Sequence, residues 1–500
     1  MSSQRRFLRF VIILSAVVLS GFVLEFLWEW NRLGRPGIKE LSWAGTNNPK
    51  LADILSPMAR AYNNILAMLL ATIALAIPLT ANMYTPKLID MFIRDRINQF
   101  MLLFWAIAAA HVLWVLYMIG PEFAPLWAFW LAVGGALMGW IALVPYFFYI
   151  VRYLDPSNIL ARLQEDATRT IDLALVQADV LAAQDTLNQR LYEIGTILLK
   201  TIDRGERGVT LEGLRVMDAI LNYYGERKAN LPHAWFLPQR EHFVGVAEDA
   251  LTLLRDDRTW VEHRVMSHIF LAYQLALAKT QDVISSLSKT SRGIGLDAAK
   301  RGDAKALELS VKFFNNYLRE AIKRKDLHAI YDLFYQYRGL TSSVLDRPEL
   351  VKKIARYFDI YSDLAEASGL PFAPQIVAFD LGWLVRKAYD GKSAGGTALL
   401  EAMLEVRNKT GAEPRLLVVK AKAILGGYFT AKELPAEAAR LRDNLAEIPS
   451  TTIEQVEKEL MTLEDPSFWE VTNRQMMFEW VPHEQRPTVK AFLDSVKGRS

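Results

Sequence analysis

The chain of 500 residues contains no cysteine, which excludes disulfides, thiolate nucleophiles and cysteine-ligated zinc or iron–sulfur centres. Charge is nearly missing from one long region: between residues 62 and 150 the formal charges are Lys87, Asp90, Arg94, Asp95, Arg96 and Glu122. A net charge of +3 is too small to predict nucleic acid as a partner, which would need a concentrated basic face. The short signatures of common chemistry are missing as well. There is no G-x-x-x-x-G-K-[ST] and no G-x-S-x-G, and "RGIGLDAA" at residues 292–299 has neither three-glycine spacing nor a preceding strand. His263 and His268 stand five apart on an expected helix, about 140° around it, which suits core or surface histidines better than a shared metal. No catalytic, cofactor-binding or metal-binding residue is assigned, and an enzyme is not expected.

What is present divides in two. A membrane span needs about 20 mostly apolar residues, and four stretches qualify, at about 7–28, 62–84, 100–119 and 126–151. The first follows Arg5, Arg6 and Arg9 and has the form of a signal peptide. It lacks a small-x-small cleavage site, and Glu25, Phe26, Trp28 and Trp30 read as an interfacial anchor, so an uncleaved span is expected. The basic Arg5, Arg6, Arg9, Lys87, Arg94, Arg96 and Arg152 then mark the cytoplasmic side, with both termini inside and the 120–125 loop outside. Arg32, Arg35, Lys39, Lys50 and Arg60, in the 29–61 connection, run against that rule.

Between residues 86 and 99, Leu88, Ile89, Phe92 and Ile93 share one helical face and Lys87, Asp90, Arg94 and Asp95 the other. Such a segment lies in the interface, with Lys87, Arg94 and Arg96 as candidate contacts to lipid headgroups or as a basic turn that fixes topology. His111 is the ionisable side chain inside the second to fourth spans. It is a candidate intramembrane polar site, set against plain hydrogen bonding between helices, because no carboxylate at its depth is evident. Gly135 and Gly139 form a G-x-x-x-G pair, a candidate for close helix packing within one bundle or between chains.

The stretch Tyr84-Thr85-Pro86-Lys87-Leu88-Ile89, then Phe92, Arg94-Asp95-Arg96 and Gln99 before an apolar span, resembles a family of predicted four-span bacterial membrane proteins of unknown function. There a Ser-Pro-Arg-Leu-like turn and an Arg-Asp-Arg-like triplet join the second and third spans. The resemblance covers residues 65–152 and implies the same topology and a bacterial inner membrane, without an activity. The family's Ala-Leu-Ser-Pro-like and Asn-Asp-Pro-containing segment has no counterpart; "TIDRGERGVTLEGLRVM" at 201–217 departs from it.

From residue 155 onward helical spacing dominates. Asp303 is an expected N-cap for a stripe of Leu307, Val311, Phe314, Leu318 and Ile322. Asp326 opens a helix expected to stop at Gly339, and Asp346 with Pro348 opens one that ends near Gly369. Further helices are expected at 211–224, 241–255, 259–287, 398–409, 414–431 and 435–445. "SSLSKTSRGIGLDAAKRG" at 285–302 is rich in Ser, Gly and Lys and reads as a boundary between two helical subdomains or, equally, as a long loop within one array. The fold class is therefore all-α: a transmembrane domain over 1–152, then a large cytoplasmic helical bundle or α-solenoid-like part with subdomains over 153–290 and 291–500. The segment with Trp469 and Trp480 is expected to pack back on it. Phe314, Tyr317, Tyr335, Tyr337 and Tyr361 belong to an aromatic cluster that is mostly core, with the remainder a candidate docking surface. The resulting expectation is a non-enzymatic membrane protein that displays a helical domain for docking another protein. A channel or transporter is the alternative, with membrane lipids and either a homo-oligomer or a second protein as partners.

Overall fold

A computed structural model describes residues 2–33, 49–120, 123–176, 179–243, 245–411, 413–467, 474 and 476–498, with side chains from residue 13 onward except those of 49 and 50. The expected roles of the Arg5, Arg6, Arg9 and Lys50 side chains, of Arg35, Lys39 and Glu122, and of Trp469 lie outside the described residues. The chain divides into two compact units, Met1–Ile159 and Leu160–Ser500.

In the first unit, α1 (Ser2–Arg32), α2 (Pro49–Met83), α4 (Arg96–Met118) and α5 (Leu126–Leu154) are the four long apolar helices, and α3 (Lys87–Arg94) is a short amphipathic one. All four expected spans are present. α2 begins well before its expected start and runs through Pro57 and Pro78; its 35 residues give a length of about 50 Å, more than a bilayer core requires. Leu75, Ile141, Phe148 and Met68 remain largely exposed, as side chains that face hydrocarbon would.

The Arg94-Asp95-Arg96 triplet has a local physical reason. Asp95 leaves helical geometry between α3 and α4, and its carboxylate accepts from the Asn98 backbone N–H (3.0 Å) and from the Tyr149 hydroxyl on α5 (2.9 Å). Asn98 and Gln99 donate side-chain N–H groups back to the Phe92 and Ile93 carbonyls at the end of α3. One turn thus satisfies backbone groups at the ends of two helices. Arg94 and Arg96 are exposed, while Lys87 is half-buried and pairs with Asp90 at 3.1 Å.

The second unit is helical throughout, apart from the two-residue strands β1 (Lys409–Thr410) and β2 (Glu413–Pro414) and one isolated bridge among the described residues. Its helices are α6 (Pro156–Leu175), α7 (Val180–Arg204), α8 (Arg207–Arg227), α9 (Glu248–Asp256), α10 (Trp260–Lys279), α11 (Ile284–Lys300) and α12 (Ala304–Arg324). There follow α13 (Leu327–Thr341), α14 (Pro348–Ala367), α15 (Ala373–Asp390), α16 (Gly396–Glu405), α17 (Leu416–Ala431), α18 (Pro435–Asn444), α19 (Ser450–Thr462) and α20 (Arg486–Lys497). From α7 onward each packs mainly on helices one to three places away in the chain, as in a progressive helical array. Asp303 and Asp326 cap α12 and α13, accepting from Ala306 and Ala329 N–H groups at 3.0 and 2.9 Å. Gly339 does not stop α13, which continues to Thr341: the glycine does not take the left-handed backbone of a helix stop, and the Arg292 side chain of α11 lies close against it instead.

The boundary expected at 290/291 falls inside α11, which packs on α8, α12 and α13. The aromatic cluster also differs from expectation. Phe314, Tyr317, Tyr337 and Tyr361 are buried, with Phe314 stacked on Tyr337 at 5.2 Å and Tyr337 on Phe358 at 5.1 Å; only Tyr335 keeps partial exposure. These rings fill the space between α12, α13 and α14 and do not form a docking surface, because three adjacent helices each contribute rings to one seam.

α17 is surrounded by α15, α18, α19 and α20. It buries two lysines. Lys420 is paired with Glu459 and Glu479, and the fully buried Lys422 donates to the Val406 carbonyl (2.6 Å) and to the Asn408 and Asn444 amide oxygens (both 2.7 Å). Where α17 meets α20, Gly426 faces the Phe492 ring and Gly427 faces the Val489 backbone: a Cβ on Gly427 would sit 2.7 Å from Val489 Cα. Gly427→Val is expected to destabilise the second unit by about 1–3 kcal/mol through overpacking, read as a lower midpoint in thermal unfolding of the full chain.

Candidate functional site within the membrane unit

Two ionisable groups of the apolar helices, Glu25 and His111, meet away from the helix ends. Glu25 and Glu29 stand one turn apart on the same face of α1. His111, on α4, is seven residues before Met118, and Glu25 seven before Arg32, so both lie about 10 Å along their helices from the nearer end. The His111 Nε2 and Glu25 Oε2 atoms are 2.7 Å apart, and the side chains are 9% and 19% exposed. The Phe22 ring packs on the imidazole at 5.1 Å and on Trp114 at 6.0 Å. A hydrogen bond in such surroundings is strong, since water competes little for either partner.

Glu29 anchors the arrangement. It is fully buried, and its Oε1 accepts from the backbone N–H groups of Trp127 (2.7 Å) and Ala128 (3.3 Å) in the first turn of α5. A carboxylate there meets both the unsatisfied N–H groups and the positive end of the helix dipole. α1 is thereby fixed to α5 at one level and to α4 at the next.

These three helices enclose a cavity of about 740 Å³, with Glu25 and His111 in its wall and Phe22, Phe104, Gly134 and Gly135 among its lining. Its rim includes Trp130, Leu131 and Met138, each more than three-fifths exposed, so it opens toward the surface where other apolar side chains lie. Small residues create the space: a Cβ on Gly134 would meet nothing within 4 Å, and one on Gly135 only the Ala108 methyl, at 4.0 Å. Gly139 has a different task. It is buried against the Tyr62 ring of α2, and its carbonyl accepts from Trp105 Nε1 at 3.0 Å. The two glycines thus serve a cavity and an internal helix contact in their own bundle.

His111 was legible in the sequence and its carboxylate was not. Glu25 reads as the end of the first span, yet it lies at the depth of His111, which corrects the expectation of a histidine without an acidic neighbour. The signal available was the spacing of Glu25 and Glu29, two acids four apart on one face of an otherwise uncharged run. Among the described residues no group of three or more His, Asp or Glu is placed to hold a metal. His263 and His268 are both on α10 and not in such a group.

No curated protein and no solved structure matches the chain. Residues 3–196, which contain all four apolar helices and extend beyond the 65–152 of the recognised motif, match the model of the family Predicted membrane protein (DUF2254), whose function is unknown.

Proposed function

We propose that the membrane unit binds an amphipathic, lipid-like molecule in the cavity between α1, α4 and α5, with Glu25 and His111 engaging a cationic or hydrogen-bond-donating head. The observation that carries this reading is the 2.7 Å Glu25–His111 contact in the wall of a large apolar cavity. A polar pair is costly at membrane depth unless it is used or fully satisfied, and a cavity of this size suits a ligand chain. The proposal belongs with the transport alternative more than with docking, since four of the five aromatic residues that suggested docking are buried. The size of the second unit is what still supports a docking role. No enzymatic role and no nucleic-acid partner is proposed.

The setting proposed is a bacterial inner membrane. Four alternating spans bring the N-terminal arginines, the Lys87–Arg96 turn and Arg152 to one side, and their charge makes that side cytoplasmic, together with both termini. Native mass spectrometry of the full chain, extracted from its host in mild detergent, tests the reading and reports in the same spectrum whether the chain is a homo-oligomer or carries a second protein. One small amphiphile per chain is expected, retained by the parent protein and lost from Glu25→Gln and from Gly134→Phe, which puts a ring into the cavity. Equal retention by all three proteins would overturn it.

A further inference from the structure

The second unit contains a distinct cleft of about 300 Å³, lined by Arg338, Arg386 and Arg474 with Trp383, Phe478 and Trp480. Asp380, fully buried, accepts from Arg474 through both oxygens (2.5 and 2.7 Å) and pairs with Arg338 at 3.1 Å. Arg386 has no ion-pair partner among the described residues; Asp390, the carboxylate that acts on it electrostatically, is itself paired with Lys432 at 2.7 Å. Arg338 and Arg474 thus share Asp380, while Arg386 stands beside them, half-buried, without an ion pair among the described residues.

The aromatic side chains complete the pattern. Arg338 lies over the Trp383 ring at 4.6 Å, Arg474 over Phe478 at 4.9 Å, and Trp480 Nε1 is a buried donor with no acceptor among the described residues. The planes of Arg338 and Arg474 are held by these stacks and by Asp380, which leaves donors of fixed direction. Burial lowers the affinity of Arg338 and Arg386 for their protons, and in each case another arginine adds to the effect. A guanidinium removed from water without an ion pair, as Arg386 is among the described residues, is costly unless an anion offsets it.

We propose that this cleft binds a small organic oxyanion, a carboxylate or phosphate carried on an apolar or aromatic body, with Arg386 and Arg338 taking the charged group and Trp480 Nε1 donating to it. Planar bidentate donors match both oxyanions, and the rings of Trp383 and Phe478 supply a flat apolar wall. Nothing in this assignment depends on the membrane cavity.

Isothermal titration of the full chain in lipid nanodiscs with phenyl phosphate, alongside benzoate and inorganic phosphate, tests it. Phenyl phosphate or benzoate is expected to bind, more tightly than inorganic phosphate, and Arg386→Gln to weaken binding by about tenfold or more. Arg386 lies outside the Asp380 pairing, so this variant is expected to keep the parent unfolding midpoint, which is measured in parallel. If Arg386→Gln unfolds, Trp480→Phe, which removes one donor and keeps an aromatic wall, takes its place. Failure of both organic probes to bind in the millimolar range, or binding unchanged in a folded variant, would overturn the proposal.

Discussion

Asp380→Asn is expected to destabilise the second unit by about 3–5 kcal/mol, the cost of breaking a buried ion pair from one side. The carboxylate is completely shielded, holds Arg474 by two bonds and also pairs with Arg338. Asparagine is nearly the same shape, so the effect isolates charge and one acceptor rather than packing. Once the carboxylate is replaced by an amide, both arginines lose the counter-charge that Asp380 supplies while their guanidinium groups stay in place. Their stacking on Tyr331, Phe478 and Trp383 prevents them from swinging into water without losing those contacts. A double-mutant cycle with Arg474→Gln measures the coupling: the double variant should recover much of the loss, because the charge left unpaired is removed with its partner. A single-variant loss below about 1 kcal/mol would mean that Asp380 behaves as an exposed pair does.

Acid should weaken the same unit through two histidines. Burial lowers both His263 and His268 to about 4, with nearby Arg264 adding to the effect. The His263 ring packs between Phe243 and Phe313, and His268 lies against Gly195 on α7 with neither ring nitrogen paired among the described residues. Both are therefore neutral in the fold and take up protons on unfolding. Their contribution is level above the ordinary histidine value of about 6.5 and is lost as pH falls from there to about 4, by roughly 3 kcal/mol each. Glu262, whose carboxyl burial raises, works in the opposite direction, so the comparison must be between proteins that both keep it. Denaturation midpoints of the parent and of His263→Phe with His268→Leu, followed from pH 7 to 4, should diverge in slope, with the variant flatter. Parallel slopes would show that these histidines are protonated without opening the fold.

The spans were readable because their signal, long runs without charge, does not depend on what packs against them. The caps Asp303 and Asp326 were readable for a similar reason, since each acts within three residues of itself. α11 was not. Its serines suggest a loop, but Ser288 and Ser291 turn their hydroxyls to carbonyls of their own helix and to Asp332 and Tyr317. Its Gly295 would, with a Cβ, lie 2.8 Å from Leu340. Small residues that look like a linker in one dimension are here a close helix contact, a distinction only tertiary structure makes. The membrane site shows the same limit, because His111 is conspicuous alone while Glu25 acquires meaning only from a helix 86 positions away.

α17 also bears on how the chain meets the membrane during synthesis. Its 16 residues, LLVVKAKAILGGYFTA, would reach about 24 Å if helical, slightly short of a hydrocarbon core. In composition it is the segment of the second unit that most resembles a further span. Lys420 and Lys422 alter that resemblance at the stage when no tertiary partner exists. A lysine near the centre of a span costs about 2.5–3.5 kcal/mol for insertion, so the two together favour release of this segment into water. The side chains that pair with Glu459, Glu479 and the 406–408 turn in the fold are thus the same ones that weigh against this segment entering a bilayer.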